Sequence, residues 1–309
     1  MALRLVDLPE AEVIRRDLER EFFASPGTST RATRSNFLTV RSVEVIKPAN
    51  VAKHRGPKAQ GKFIERLTGK KIVKIVRRGR YLFLLLQAKN CEDEALVIDF
   101  GPGGLLRRNT RRDALDPNTA VVIGLGAWGQ LRMLDTKKDA QMYLLLRKEL
   151  TSASPFLAKM GLDPIAQPIA RQDFHAICRS TTNKSLKSLL LDEKILVGVG
   201  DIYSDEILFH AELSYRRIAS SLTQTEARRL CRALTGTLHE AVKRRGTTLP
   251  SRQFLDIFGD EGGYDSHLEV YQRYGELSSR GGFVTKARFS GRSTYYCDKT
   301  QILLEAPTS

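Results

Sequence analysis

Residues 184–209 read KSLKSLLLDEKILVGVGDIYSDEILF. Leu186, Leu189 and Leu190 recur at the spacing of one helix face. The pattern then breaks at Val197-Gly198-Val199-Gly200. A glycine inside a helix costs about 1 kcal/mol relative to alanine, but it permits φ > 0 and close backbone approach. A second helical pattern follows with Ile202, Ile207 and Leu208, and Asp205 and Glu206 stand among them. The spacing predicts helix, glycine turn, helix. A glycine turn ahead of a helix start can present N–H groups to a phosphate. The same turn also serves as a packing device between helices, and the spacing alone leaves both readings open.

Outward from that stretch, the chain has 309 residues, enough for two domains. Its 41% hydrophobic content is enough for real cores. No apolar run reaches the length of a transmembrane helix, and the opening MALRLVDLPEAEV lacks the apolar region of a signal peptide. The expectation is therefore an intracellular protein with no membrane partner. Cytoplasm or nucleoid, nucleus and organelle stay open. Fifty Lys and Arg against 35 Asp and Glu give a net charge of +15. The charge is concentrated in residues 70–80, 107–112, 216–217 and 243–245, which points to a polyanion, most simply nucleic acid. Cys91, Cys178, Cys231 and Cys297 are far apart and form no CxxC pair. That excludes a standard zinc ribbon and fits free thiols in a reducing compartment.

Taken in order, residues 9–23 predict a helix with Pro9 in its first turn and Val13, Ile14, Leu18 and Phe22 as its stripe. Strand-like runs follow at 37–46, 71–76, 81–86, 95–100, 119–125 and 130–134, with a short helix at 60–67. Several short strands after one helix predict a β-sandwich. Residues 140–172 read as helical. Residues 223–245 predict a helix opened by a Thr223/Glu226 capping box and closed near Gly246. Within it Cys231 and His239 read as packing and surface residues. Residues 247–266 read as loop.

The words LLLDEKILVGVGDIYSDEILF resemble the helix–two-turn–helix of the formamidopyrimidine-DNA glycosylase/endonuclease VIII family of repair enzymes. Lys187, Leu190, Asp192, Gly198, Gly200, Ile202, Tyr203, Glu206 and Leu208 fall in register with it; Asp201 replaces the family's phosphate-holding asparagine. LPEAEVIRRDL resembles the family's opening, GKKIVKIVRRGRYLFLLL its strand pair, and DFGPGGLLRR its HLGMSGSLR. The MGLDPI stretch is similar to its interdomain connection. EVYQRYGE and GRSTYYCDKTQ resemble the two ends of its C-terminal zinc finger, but only Cys297 of the metal ligands is present, with Thr300 in its partner's place. The resemblance thus implies a finger hairpin, with 284–289 and 294–297 as its two strands, and no metal and no cofactor. It makes Arg292 the finger's phosphate-contacting arginine, with a solvated turn arginine as the alternative, and Arg80, Lys187, Gly200 and Asp201 the other nucleic-acid contacts.

The family's chemistry needs an N-terminal proline amine that attacks the sugar, and a neighbouring glutamate that protonates the sugar oxygen. The register places Val6 at the proline and Asp7 at the glutamate, with four more residues ahead of the pair than in the family's M-P opening. A mid-chain valine has an amide nitrogen, which is not a nucleophile. The catalytic candidates are therefore Ala2, as a displaced amine, with Val6, Asp7 and Glu10. Asp7 also reads as a strand-end or helix N-cap aspartate and Glu10 as a first-turn glutamate. Arg80 replaces the family's lysine, Asp99 its histidine and Pro102 the methionine that fills the space of the flipped base. Residues 135–140 carry basic charge but no apolar wedge.

The expected fold is α+β: a helix plus β-sandwich at 1–140, a connection at 141–172, a helical helix–two-turn–helix domain at 173–262, and a zincless hairpin with its tail at 263–309. The resemblance implies a double-stranded DNA partner and base-excision repair, as N-glycosylase and abasic-site lyase, if an N-terminal amine reaches the site. The alternative is a catalytically inactive member serving as a DNA- or RNA-binding part of a larger assembly. Phosphate contacts do not separate DNA from RNA or a ribonucleoprotein. Formation of an imine would discriminate enzyme from binding protein.

Overall fold

The computed structural model describes residues 4–23, 38–51, 59–87, 93–150, 159–251 and 253–303. Ala2 and Cys91 lie outside them. The chain divides into two compact units. One is built from the described residues up to 150 together with residues 245–262, the other from residues 159–244 and 263–303.

The first unit opens with α1 (Leu8–Phe23). Ala11, Ile14, Leu18 and Phe22 form its core stripe, and the Phe22 ring meets Trp128 edge to face at 5.0 Å. Each such fully buried large side chain contributes about 1.5–3 kcal/mol. Glu12 fastens the helix to the next sheet by accepting from Arg77 Nε at 2.9 Å. Burial pushes the Glu12 carboxyl up, but hydrogen bonds from Arg15, Arg77 and Arg16 outweigh it and hold the pKa at about 2.

Among the described residues the strands that follow are β1 (Leu38–Thr39), β2 (Ser42–Val45), β3 (Lys71–Arg78), β4 (Tyr81–Gln87), β5 (Glu94–Asp99), β6 (Gly104–Asn109), β7 (Thr119–Gly124), β8 (Gln130–Asp135) and β9 (Gln141–Leu146), with α2 (Ala59–Leu67) between β2 and β3. They form two antiparallel sheets, ordered β1-β3-β4-β5-β9 and β2-β7-β8-β6. Leu82, Leu84, Leu86, Leu96 and Ile98 of one sheet share a buried cluster with Val121, Ile123, Leu131 and Met133 of the other. That is the expected sandwich.

Two sequence expectations change here. Residues 141–146 are a strand, not the start of a helical connection, and pair with β5 from Asp99↔Gln141 to Glu94↔Leu146. QMYLLL is an apolar run that periodicity cannot assign, and the open edge of β5 decides it. The sandwich therefore extends past 140. Residues 245–262 return to this unit rather than staying with the helical one. Phe254 and Ile257 are fully buried in its core, and Arg245 bridges Asp17 and Asp256.

The second unit carries α3 (Arg171–Ser180), α4 (Leu186–Leu190), α5 (Asp201–Ala211) and α6 (Gln224–Lys243). The predicted helix, glycine turn, helix is α4, residues 191–200 and α5, with Gly198 at φ +76°. Ile202 to Phe209 are all buried, so α5 is the centre of the unit rather than an amphipathic surface helix. α6 has the predicted capping box: Glu226 N donates to Thr223 Oγ1 at 3.2 Å, and Thr223 N donates to Glu226 Oε2 at 2.8 Å. The hairpin of β10 (Val284–Phe289) and β11 (Arg292–Cys297) pairs Val284 with Cys297 and Phe289 with Arg292. β11 thus starts two residues before the predicted strand. No helix among the described residues is long and apolar enough to cross a membrane.

Candidate nucleic-acid interface

The candidates fall into a group in each unit. In the second unit, α4 ends before a loop whose last residue, Gly200, is the N-cap of α5 and is buried. Gly200 has no side chain to cap the helix, so the first turn of α5 leaves backbone N–H groups at its positive end. Asp201 occupies the next position, and its Oδ2 accepts from Arg292 Nη1 at 2.7 Å. The carboxylate therefore sits at the helix end and holds the hairpin arginine as an internal anion would. Asp201 Oδ1 is buried and has no hydrogen-bond partner among the described residues.

Lys187 does not fit its expected role as a phosphate contact. It is 1% exposed, and its Nζ donates to Asp205 Oδ1 and Ser204 Oγ at 2.7 Å each and to the Asp201 carbonyl at 3.2 Å. Charged side chains are usually solvated, so sequence alone places such a lysine at the surface. Here a buried carboxylate claims the ammonium. Asp205 Oδ2 in turn accepts from Tyr295 N of β11 at 3.0 Å. Burial pushes the Asp205 carboxyl up to about 6, against the ammonium and that N–H.

Glu206 does the same work one residue further on. Oε1 accepts from Val270 N and Tyr271 N at 3.0 and 2.8 Å, and Oε2 from Glu269 N at 2.9 Å. Burial pushes its carboxyl up to about 7, although three N–H groups favour the anion. Asp205 and Glu206 thus tie the hairpin and the strap before it to α5. Nothing in the local sequence separates these two carboxylates from surface ones; an acidic pair inside an otherwise apolar helix was the available signal.

In the hairpin, Cys297 is buried. Ser278 Oγ donates to its Sγ at 3.4 Å. A family zinc ion needs four N or S donors. One thiol among hydroxyls does not fit it. Among the described residues no cluster of three or more His, Cys, Asp or Glu is placed to hold a metal.

In the first unit, Val6 is fully buried and Leu5 N donates to the Pro102 carbonyl at 3.0 Å. Asp7 is the residue ahead of α1, 3% exposed. Its N–H donates to Glu10 Oε2 at 3.0 Å, while Glu10 Oε1 accepts from Thr247 N at 3.0 Å. Glu10 therefore ties the helix start to the returning segment. Gly246, at φ +83°, makes room: a Cβ there would lie 2.9 Å from Glu10 Cγ. Arg80 stands in the β3–β4 turn, 3.6 Å from Asp99, with its guanidinium 5.1 Å from the centre of the Tyr81 ring. It occupies a protein-lined place at 12% side-chain exposure. Asp135 holds residues 135–140, accepting from Lys137 N and Ala140 N at 3.1 Å each.

A β-sandwich followed by a helix–glycine turn–helix unit with an arginine-bearing hairpin defines a class, the nucleic-acid-binding folds of base-excision enzymes. Residues 5–142 match the formamidopyrimidine-DNA glycosylase N-terminal domain and residues 160–253 its H2TH domain. The formamidopyrimidine-DNA glycosylase of Pelotomaculum thermopropionicum is 32% identical over 96% of this chain and 98% of its own. That of Heliobacterium modesticaldum is 33% identical over 96% and 99%. This chain belongs to the formamidopyrimidine-DNA glycosylase family. Among solved structures, Lactococcus lactis Fpg in complex with DNA containing an abasic site has a TM-score of 0.80 at 26% identity, covering 96% of this chain and 99% of that one. The MutM (Fpg) protein of Thermus thermophilus has a TM-score of 0.78 at 30% identity, covering 96% and 98%.

Proposed function

We propose that this protein is an intracellular DNA glycosylase of base-excision repair that binds double-stranded DNA and cuts at damaged and abasic sites. The observation that carries the reading is the match along 96% of the chain to relatives named for that activity and to structures solved with abasic-site DNA. Arg292, the N-terminal turn of α5 beginning at Gly200, and Arg80 are the proposed phosphate contacts. Asp7 is the proposed acid that protonates the sugar oxygen as the N-glycosidic bond breaks. Val6 is not the nucleophile: its nitrogen is a peptide amide inside the chain. The proposed attacking amine lies ahead of Val6, with Ala2 the candidate. Attack at C1′ displaces the base and forms an imine, which then supports elimination of the strand.

Borohydride trapping on an abasic-site duplex tests this, with the intact mass of the protein measured alongside. The expected result is a covalent adduct that maps to the peptide preceding Val6. Salt-sensitive duplex binding with no adduct would leave a DNA-binding protein without imine chemistry and end the lyase reading.

A further inference from the structure

One face of α6 is built differently from the rest of the helix. Residues 229, 232, 233, 236, 237 and 240 recur at intervals of three and four and line a groove of about 700 Å³ within the second unit. That volume is in the range of small-ligand sites. The opposite wall carries Tyr264 and His267, whose rings lie parallel with centroids 6.2 Å apart. The groove lies outside every candidate contact described above.

Three features show a site with unused binding capacity. Thr237 is 5% exposed, and its Oγ1 has no hydrogen-bond partner among the described residues. Gly236 is an open notch, since a Cβ placed there would meet nothing within 4 Å. A glycine in the middle of a 20-residue helix is otherwise a cost without a use. Arg232 forms no hydrogen bond or ion pair among the described residues; Arg229 lines the same groove with its Nε donating to the Ala211 carbonyl, and Arg273 lines it paired with Glu276. Burial holds the His210 ring below its usual pKa, so at neutral pH it offers one donor and one acceptor. The walls are dipolar: arginines at 229 and 232, one turn apart, and Glu240 about three turns from Arg229, with Glu269 on the facing segment.

We propose that this groove binds a nucleoside phosphate, with the phosphate on Arg229 and Arg232, the sugar at Gly236 and the Thr237 hydroxyl, and the base against His267, whose ring packs on the buried Tyr264. Arginine forks suit phosphate oxygens. Glu269 is an acceptor for the amino and ring N–H groups of a purine base, while Glu240 already accepts from Arg244 Nε at 2.9 Å through Oε1. The open notch at Gly236 leaves space for the sugar.

The test is calorimetric titration of the full-length protein with GMP, guanosine and inorganic phosphate. GMP is expected to bind once per chain and more tightly than either fragment. Gly236→Leu adds no charge and should raise helix propensity. It is expected to weaken GMP binding by at least about tenfold, and Arg232→Glu by a similar factor. Thr237→Val keeps the shape and removes the hydroxyl; a several-fold loss is expected, which keeps the test open if Gly236→Leu folds poorly. Absence of GMP binding, phosphate binding as tight as GMP, or GMP binding indifferent to Gly236→Leu, Arg232→Glu and Thr237→Val would each overturn the proposal. Failure of the glycosylase reading would leave it standing, because none of these readouts uses DNA.

Discussion

At the residue scale the decisive pair is Asp201 and Arg292. A carboxylate at 2.7 Å neutralises the arginine that would meet a phosphate, and stands where a phosphate would be drawn to the helix end. Removing the charge while keeping the shape should therefore strengthen duplex binding. Asp201→Asn is expected to raise affinity by about 1 kcal/mol, roughly fivefold, the size of one charge contact in water. Fluorescence anisotropy with a labelled duplex checks it, and an unchanged or weaker affinity would remove Arg292 from the phosphate contacts. Lys187 answers to a different measurement. It and Asp205 are both buried, so removing one partner strands the other. Lys187→Met should cost about 3–5 kcal/mol of stability in urea unfolding. A cost near zero would mean that the ammonium is solvated after all.

At the element scale, α5 holds the second unit together through two neighbouring carboxylates. Glu206 supplies acceptors for the N–H groups of Glu269, Val270 and Tyr271, and Asp205 for that of Tyr295. Glu206→Ala leaves three donors unpaired, each costing about 1–3 kcal/mol where buried. Hydrogen exchange at residues 269–271 should accelerate strongly, while exchange in the middle of α6 changes little. Equal acceleration in both would mean global destabilisation instead. The same carboxylate gives a pH signature. Its folded pKa of about 7 lies above the ordinary glutamate value of 4.5. Between those values the folded state holds the extra proton, so this group's contribution to stability falls as pH rises. Glu206→Gln is expected to flatten that part of the stability–pH curve, whatever its mean cost.

At the scale of the whole molecule, the +15 charge predicts binding dominated by counterion release. If about six phosphates are neutralised, duplex affinity should fall about 10³-fold between ~50 and ~200 mM salt. A nearly flat dependence would contradict the phosphate contacts proposed for Arg80 and for Arg292. Much of this was legible from sequence. The glycine break at 198–200, the capping box at Thr223 and Glu226 and the stripe of α1 are set by local rules: φ freedom, cap hydrogen bonds and periodicity reach no further than a few neighbours. Tertiary structure alone decided the rest. Residues 141–146 became a strand because β5 had an unpaired edge to fill. Residues 245–262 returned to the sandwich because Phe254 and Ile257 complete its core and Thr247 meets Glu10, partners 237 positions apart. Lys187, Asp205 and Glu206 went inside because each found donors or acceptors from distant segments, and pairing of that kind is what makes burial of a charge tolerable. Local sequence determined where helices and turns begin; which charged side chains remain for a ligand was settled only when the chain brought their internal partners together.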